Sequence, residues 1–203
     1  MMLDTDVVLR TLVDAALAGR RSWANVGDLA WEARAGEKLA YKALSRPASI
    51  GAVTKHPGGG FSVTDPERVL MLLAARRSLS SARRTTLESA QAILPRVPEY
   101  AIGGTRAAVQ YLGGRNVIAD HAPALVYVPE SIALDDLPSG ETALVLAADE
   151  RALRAWETGF TSRAQTYADL FAQPGWQASE FRRALWRQWF DVDDWARAEA
   201  SGD

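Results

Sequence analysis

The chain has 203 residues, 48% of them hydrophobic and 24% charged, with a formal net charge of −2, and its length fits two small domains or one larger one. It contains no cysteine and only two histidines, which excludes disulfide bonds and thiolate chemistry and leaves little for a histidine metal centre. No apolar run reaches the ~18–20 residues of a membrane span, and Asp4 and Asp6 do not fit a signal peptide. We therefore expect a cytoplasmic protein without membrane contact.

Charge is divided unevenly along the chain. Residues 1–85 contain 13 Lys and Arg against 8 Asp and Glu, a formal charge of +5, whereas residues 86–203 contain 10 against 17, a charge of −7. A basic half beside an acidic half suggests that the first half meets a polyanion.

Three helices are predicted at the start of the chain. Apolar residues recur at helical spacing over residues 6–18, 25–34 and 36–46, and Asn25 is a suitable N-cap for the second helix. Pro47 lacks a backbone N–H and clashes with the preceding turn, so the third helix is expected to kink or end near Arg46.

A β-hairpin is predicted next, because two short alternating runs, residues 51–56 and 61–64, flank a turn at Pro57-Gly58-Gly59-Gly60. Three helices followed by a hairpin are typical of a winged helix-turn-helix. The spacing of a further set of residues also fits the register of winged-helix regulators: Leu29-Ala30, Ala40, Lys42, Leu44 and Gly51-Ala52-Val53. We assign residues 1–66 to this domain and expect the chain as a whole to be α+β, with a mixed α/β domain after the winged helix.

The outward positions of the third helix and the hairpin predict a surface for duplex DNA, because a helix about 10–12 Å across fits the major groove. Lysine and arginine at these positions suit phosphate contacts, and side chains on the helix can reach base edges. The candidate DNA-binding residues are Arg21, Ser22, Lys38, Tyr41, Lys42, Ser45, Arg46, Lys55 and His56. Each could instead be an ordinary solvated side chain, and a winged helix can also dock another protein.

Residues 67–98 are predicted to form a helical linker with four arginines, Arg76, Arg77, Arg83 and Arg84, and Pro66 suits the first turn of its helix. These arginines could extend the phosphate contacts, bind a signal anion, or simply keep the interdomain helix solvated. The sequence favours the last interpretation.

Residues 99–203 are predicted to form a mixed α/β domain with strands at 116–119, 124–128 and 142–148 and a final long helix at 177–190. Gly103-Gly104-Thr105 is similar to a nucleotidyltransferase phosphate loop, but the next strands lack the carboxylates that hold divalent metal ions. The glycines are better explained by tight strand–helix packing, and no nucleophile motif accompanies His121. We therefore expect no enzyme, no metal and no cofactor.

Four tryptophans lie close together near the end of the chain: Trp176, Trp186, Trp189 and Trp195. They could present a partner surface or fill the local core, and the second interpretation is the simpler one.

The combination resembles AbiEi-like regulators, the antitoxins of type IV toxin–antitoxin systems. The resemblance rests on the winged-helix pattern followed by three segments: Tyr100-Ala101-Ile102-Gly103-Gly104-Thr105-Arg106-Ala107-Ala108, Val126-Tyr127-Val128-Pro129 and Gln165-Thr166-Tyr167-Ala168-Asp169-Leu170. It implies a winged helix that binds inverted repeats in its own promoter, as a possible homodimer. It also implies a second half that supports antitoxin activity against a separate nucleotidyltransferase toxin without a stable complex.

The sequence thus predicts a transcriptional repressor that binds double-stranded promoter DNA, and the resemblance implies an additional role as an antitoxin. The alternatives are a winged-helix regulator whose C-terminal half senses a small ligand, an enzyme, and an adaptor that binds only proteins.

Overall fold

The structure is a computed structural model that describes residues 4–114, 118, 121–156 and 159–191. The described chain is mixed α+β, as the sequence predicts. It divides into two compact units, an N-terminal unit of residues 4–76 with 186–191 and a C-terminal unit of residues 77–185. Trp195 and most of the strand predicted at 116–119 lie outside the described residues.

Three helices open the N-terminal unit, α1 (Asp4–Leu17), α2 (Val26–Glu32) and α3 (Glu37–Ser49). Asn25 caps α2 as predicted, because its Oδ1 accepts a hydrogen bond of 2.9 Å from the Asp28 amide. Both α2 and α3 pack against α1, which is buried on almost every side.

Helix α3 excludes one of the two alternatives that Pro47 left open, an end of the helix near Arg46. The helix continues to Ser49 with Pro47 inside it. Ala40, Leu44 and Pro47 follow one another at helical spacing, and all three are buried. Their burial on one face compensates for the hydrogen bond that proline cannot make.

A three-stranded antiparallel sheet completes the first part of this unit: β1 (Ser22–Trp23), β2 (Val53–Lys55) and β3 (Phe61–Val63), in the order β1-β3-β2. The predicted hairpin is β2-β3, while β1 is an addition that the sequence pattern did not indicate. Trp23 and Phe61 stack with ring centroids 5.2 Å apart. This stacking holds β1 against β3 of the hairpin.

The linker predicted at residues 67–98 is not a separate element. Helix α4 (Pro66–Arg76) belongs to the N-terminal unit, where it packs on α1. Residues 83–85 form a strand of the other sheet. The apolar face of α4 explains the difference, because Val69, Leu70 and Leu73 are buried in the N-terminal core.

The C-terminal unit surrounds a second sheet of order β4-β7-β6-β5, in which β6 and β7 run parallel and the outer pairs are antiparallel. Its strands are β4 (Arg83–Thr85), β5 (Ala101–Gly103), β6 (Ala124–Pro129) and β7 (Ala143–Ala148). Its helices are α5 (Leu87–Ile93), α6 (Gly104–Tyr111), α7 (Glu150–Ala155), α8 (Arg163–Ala172) and α9 (Trp176–Trp186), and a 3₁₀ turn spans Leu94–Arg96. The last residue of α9 belongs to the N-terminal unit.

The central strands of this sheet are buried on both faces, and separate apolar clusters cover the two sides. Such strands are continuously apolar, which is why β6 and β7 could be predicted from the sequence. The final helix predicted at 177–190 changes to a π-helical turn at Arg187–Asp191. The tryptophans differ in environment, since Trp189 is buried and Trp176 is 61% exposed.

Among the described residues, no helix combines the length and the apolar character that crossing a membrane requires.

Candidate nucleic-acid interface

Helix α3 presents a polar face to solvent. Five of the predicted site residues lie on this face, and all five are exposed: Lys38, Tyr41, Lys42, Ser45 and Arg46. The opposite face holds the buried Ala40, Leu44 and Pro47. The helical period therefore places every side chain that the sequence assigned to α3 on one accessible surface.

The cations on this face form a row. Lys38, Lys42 and Arg46 follow one another at intervals of four residues, about 6 Å of helix rise each. Like charges at this spacing destabilise a helix by about 0.2–0.5 kcal/mol per pair. In the part of the chain that the structure describes, none of the three forms an ion pair. The charges of this row are therefore exposed, without an ion-pair partner among the described residues, and available to an external anion.

The outer face of the three-stranded sheet carries a chain of hydrogen-bonding side chains. The Ser62 hydroxyl lies 2.8 Å from the Ser22 hydroxyl and 2.8 Å from Nε2 of His56. Ser22 and Ser62 are register partners across β1 and β3. Two of the predicted site residues, Ser22 and His56, are thus brought together through Ser62, which the sequence analysis missed. The alternation Phe61-Ser62-Val63, with only the middle residue facing outward, was the available signal.

Lys55 lies on the other face of the hairpin. Its register partner is the inward-facing Phe61, so alternation directs Lys55 away from Ser62. The lysine is nevertheless exposed, since it ends β2 at the edge of the sheet. The side chains of His56 and Lys55 therefore lie on opposite faces of the hairpin.

Arg21 is the least accessible of the predicted DNA-binding residues. It is half-buried, and its carbonyl accepts a 2.8 Å hydrogen bond from the Val63 amide. Its backbone therefore holds β1 beside β3, in addition to any contact that its side chain makes.

The linker arginines differ in environment, which corrects the prediction of a solvated set for two of them, Arg77 and Arg83. Arg76 donates to Thr5 Oγ1 at 2.8 Å within the N-terminal unit. Arg77 is buried, and Arg83 donates to the Leu137 carbonyl. Arg76 and Arg84 match the prediction, since both are exposed, and Arg84 pairs with Glu141. The run looked uniform in sequence because periodicity does not reveal which arginine enters a core.

Arg77 belongs to a buried polar cluster in the C-terminal unit. Oδ1 of Asp169 accepts from Arg77 Nε at 2.7 Å, from the Tyr127 hydroxyl at 2.6 Å and from Gln165 Nε2 at 2.8 Å. Burial is the main cause that raises the pKa of Tyr127. Burial opposes the charge of Arg77, yet the neighbouring Tyr127 and Asp169 raise its pKa above the ordinary value.

The same cluster explains the Gly103-Gly104 pair. A Cβ on Gly103 would lie 3.0 Å from Asp169 Oδ2 and 3.0 Å from a Tyr127 ring carbon, and Gly104 has a φ of +60°. The glycines thus allow the turn from β5 into α6 to pack closely on α8 and β6. All of these groups are buried and contact one another, so the cluster acts as a structural core.

In the described ranges no group of three or more histidine or acidic side chains is placed to hold a metal ion. His121 is exposed, and Asp120 lies outside these ranges.

Comparisons with protein-family models, curated proteins and solved structures find no match to this chain.

Proposed function

We propose that the chain is a sequence-specific transcriptional repressor that binds double-stranded DNA through the exposed face of α3. The observation that carries the proposal is the row Lys38, Lys42 and Arg46, which is exposed and has no ion pair among the described residues. An exposed row of cationic side chains without ion-pair partners is the electrostatic signature of a site for a polyanion.

The order of elements supports a winged-helix interpretation. Helices α1 to α3 are followed by the β2-β3 hairpin, and β1 joins that hairpin to make a small sheet. In this arrangement α3 is the recognition helix and the hairpin is the wing. The proposal assigns DNA contacts to α3 and the hairpin of the N-terminal unit.

Each side chain has a definite part in such a complex. Lys42, Arg46 and Lys55 bind phosphates and set the affinity, while Lys38, Tyr41 and Ser45 reach base edges and set the sequence preference. The hydroxyls of Ser22 and Ser62 and the ring of His56 can donate hydrogen bonds to phosphate oxygens. The proposed mechanism is occlusion: the bound repressor excludes other proteins from the promoter.

The wider role is proposed from the resemblance to AbiEi-like antitoxins. A cytoplasmic homodimer on inverted repeats would regulate its own operon. The C-terminal unit would supply regulation, subunit pairing or antitoxin activity, with a nucleotidyltransferase toxin as a functional rather than a stably bound partner.

A second function, protein docking, is favoured by one observation. Trp31 on α2 is 84% exposed, and exposed tryptophan is enriched in protein interfaces. An adaptor of this kind would show no salt-dependent affinity for DNA. One experiment therefore distinguishes the two functions.

That experiment is a titration of a fluorescent duplex from the DNA upstream of the coding region, at several salt concentrations. If Lys42, Arg46 and Lys55 contact phosphate, log affinity should fall against log salt with a slope of about −2.7 per subunit. Lys42→Ala should weaken binding to all duplexes and reduce the slope by about 0.9. Arg106→Ala is the matched control, since Arg106 is an exposed cation of the C-terminal unit. An affinity that does not change with salt would contradict the proposal.

A further inference from the structure

A groove of about 370 Å³ lies within the N-terminal unit, along the exposed side of α4. Its volume falls at the lower end of the range for small-molecule sites. The lining residues are Ile50, Glu67, Arg68, Met71, Leu72, Ala75 and Trp186. Its surface is therefore mostly aliphatic and aromatic, with two charged residues from the first turn of α4.

The two charged residues differ in what they have available for a ligand. The Arg68 guanidinium already donates to the Ile50 carbonyl at 2.9 Å and pairs with Asp65 at 3.0 Å. Glu67 has no hydrogen bond or ion pair among the described residues. Burial, followed by the nearby carboxylates of Asp65 and Asp191, raises its pKa above the usual value. The uncompensated charge in the groove is thus negative.

Trp186 supplies the second feature that selects a ligand. Its ring is half-buried and packs against Phe190, with centroids 4.7 Å apart. The face of a tryptophan attracts a cation through its quadrupole, and its area favours an apolar or aromatic body. A carboxylate without a partner and an indole in one apolar groove are together complementary to an organic cation with an apolar body.

We propose that this groove binds a small organic cation with an aromatic or aliphatic body, an aryl- or alkylamine, whose ammonium pairs with Glu67 and whose apolar part packs on Trp186 and Met71. The site lies on α4 at the end of α3, and it does not depend on whether α3 binds DNA.

The test uses three probes with the same phenyl body and different charges: phenethylamine, 2-phenylethanol and 3-phenylpropionate. Binding to the full-length chain is measured by ligand-observed NMR titration. Phenethylamine should bind saturably and more tightly than the neutral and the anionic probes. Equal binding of all three probes, a preference for the anion, or no saturable binding of phenethylamine would overturn the proposal.

Two variants locate the site. Glu67→Gln keeps the shape of the side chain and should lower the affinity for phenethylamine by about two- to fivefold, the range for a partly exposed ion pair. The affinity for 2-phenylethanol should not change. Ala75→Leu is a surface substitution that fills the groove, so it should weaken the binding of both probes. Circular dichroism confirms that each variant is folded. Unchanged phenethylamine binding in either folded variant would place the ligand elsewhere and refute the assignment.

Discussion

Arg77 offers the sharpest test of how much a buried ion pair contributes to the free energy of unfolding. Its side chain is only 6% exposed, and its partner Asp169 is fully buried. Arg77→Met keeps the apolar stem and removes the charge. Asp169 then loses its guanidinium partner and keeps only the hydroxyl of Tyr127 and the amide of Gln165 as donors. Breaking a buried pair from one side typically costs about 3–5 kcal/mol. We therefore expect a loss of this size in the free energy of unfolding of the C-terminal unit.

The measurement is equilibrium urea unfolding followed by far-ultraviolet circular dichroism. Arg84→Met is the matched control, because the Arg84–Glu141 pair is 59% and 80% exposed on its two sides and such pairs contribute about 0–1 kcal/mol. Adding Asp169→Asn to Arg77→Met should recover part of the loss, since the buried carboxyl that has lost its guanidinium partner is then also removed. A loss below about 1 kcal/mol for Arg77→Met, or equal losses for the two arginines, would refute this reasoning.

Two further predictions concern the N-terminal unit. Gly60→Ala should destabilise the chain by about 1–3 kcal/mol, because its φ is +74° and the new Cβ would lie 2.7 Å from the Trp23 carbonyl oxygen. Gly58→Ala, where a Cβ meets no atom within 4 Å, should be close to neutral, and equal unfolding midpoints for the two variants would contradict the account. Glu67→Gln should raise the thermal midpoint at pH 7, since the folded chain binds the Glu67 proton more tightly than the unfolded chain and stability falls as pH rises through the raised pKa. The gain should disappear below about pH 4, where Glu67 is protonated in both states, and a gain that persists there would have another cause.

The elements that the sequence predicted well are those with a strong local signal. Asn25 as a cap, the apolar periodicity of α1 to α3 and the continuously apolar β6 and β7 all depend on residues close in the chain. The outward face of α3 followed from the same periodicity, so its exposed residues could be named in advance.

The features that the sequence did not reveal depend on partners far apart in the chain. Strand β1 exists because Trp23 stacks on Phe61, and the burial of Arg77 requires Asp169, 92 residues away. The helix continues past Pro47 because this residue is buried in the core, which the local sequence does not reveal. The opposite directions of Lys55 and His56 required the strand register.

The central claim is that the exposed face of α3 contacts duplex DNA, and hydroxyl-radical footprinting of the tyrosines tests it directly. Tyr41 on α3 is 57% exposed and Tyr100 in the C-terminal unit is 40% exposed, so both react in the free protein and Tyr100 serves as the internal control. At a saturating concentration of the upstream duplex, we expect Tyr41 to be protected while the reactivity of Tyr100 is unchanged. Full reactivity of Tyr41 in the presence of bound DNA would contradict the account.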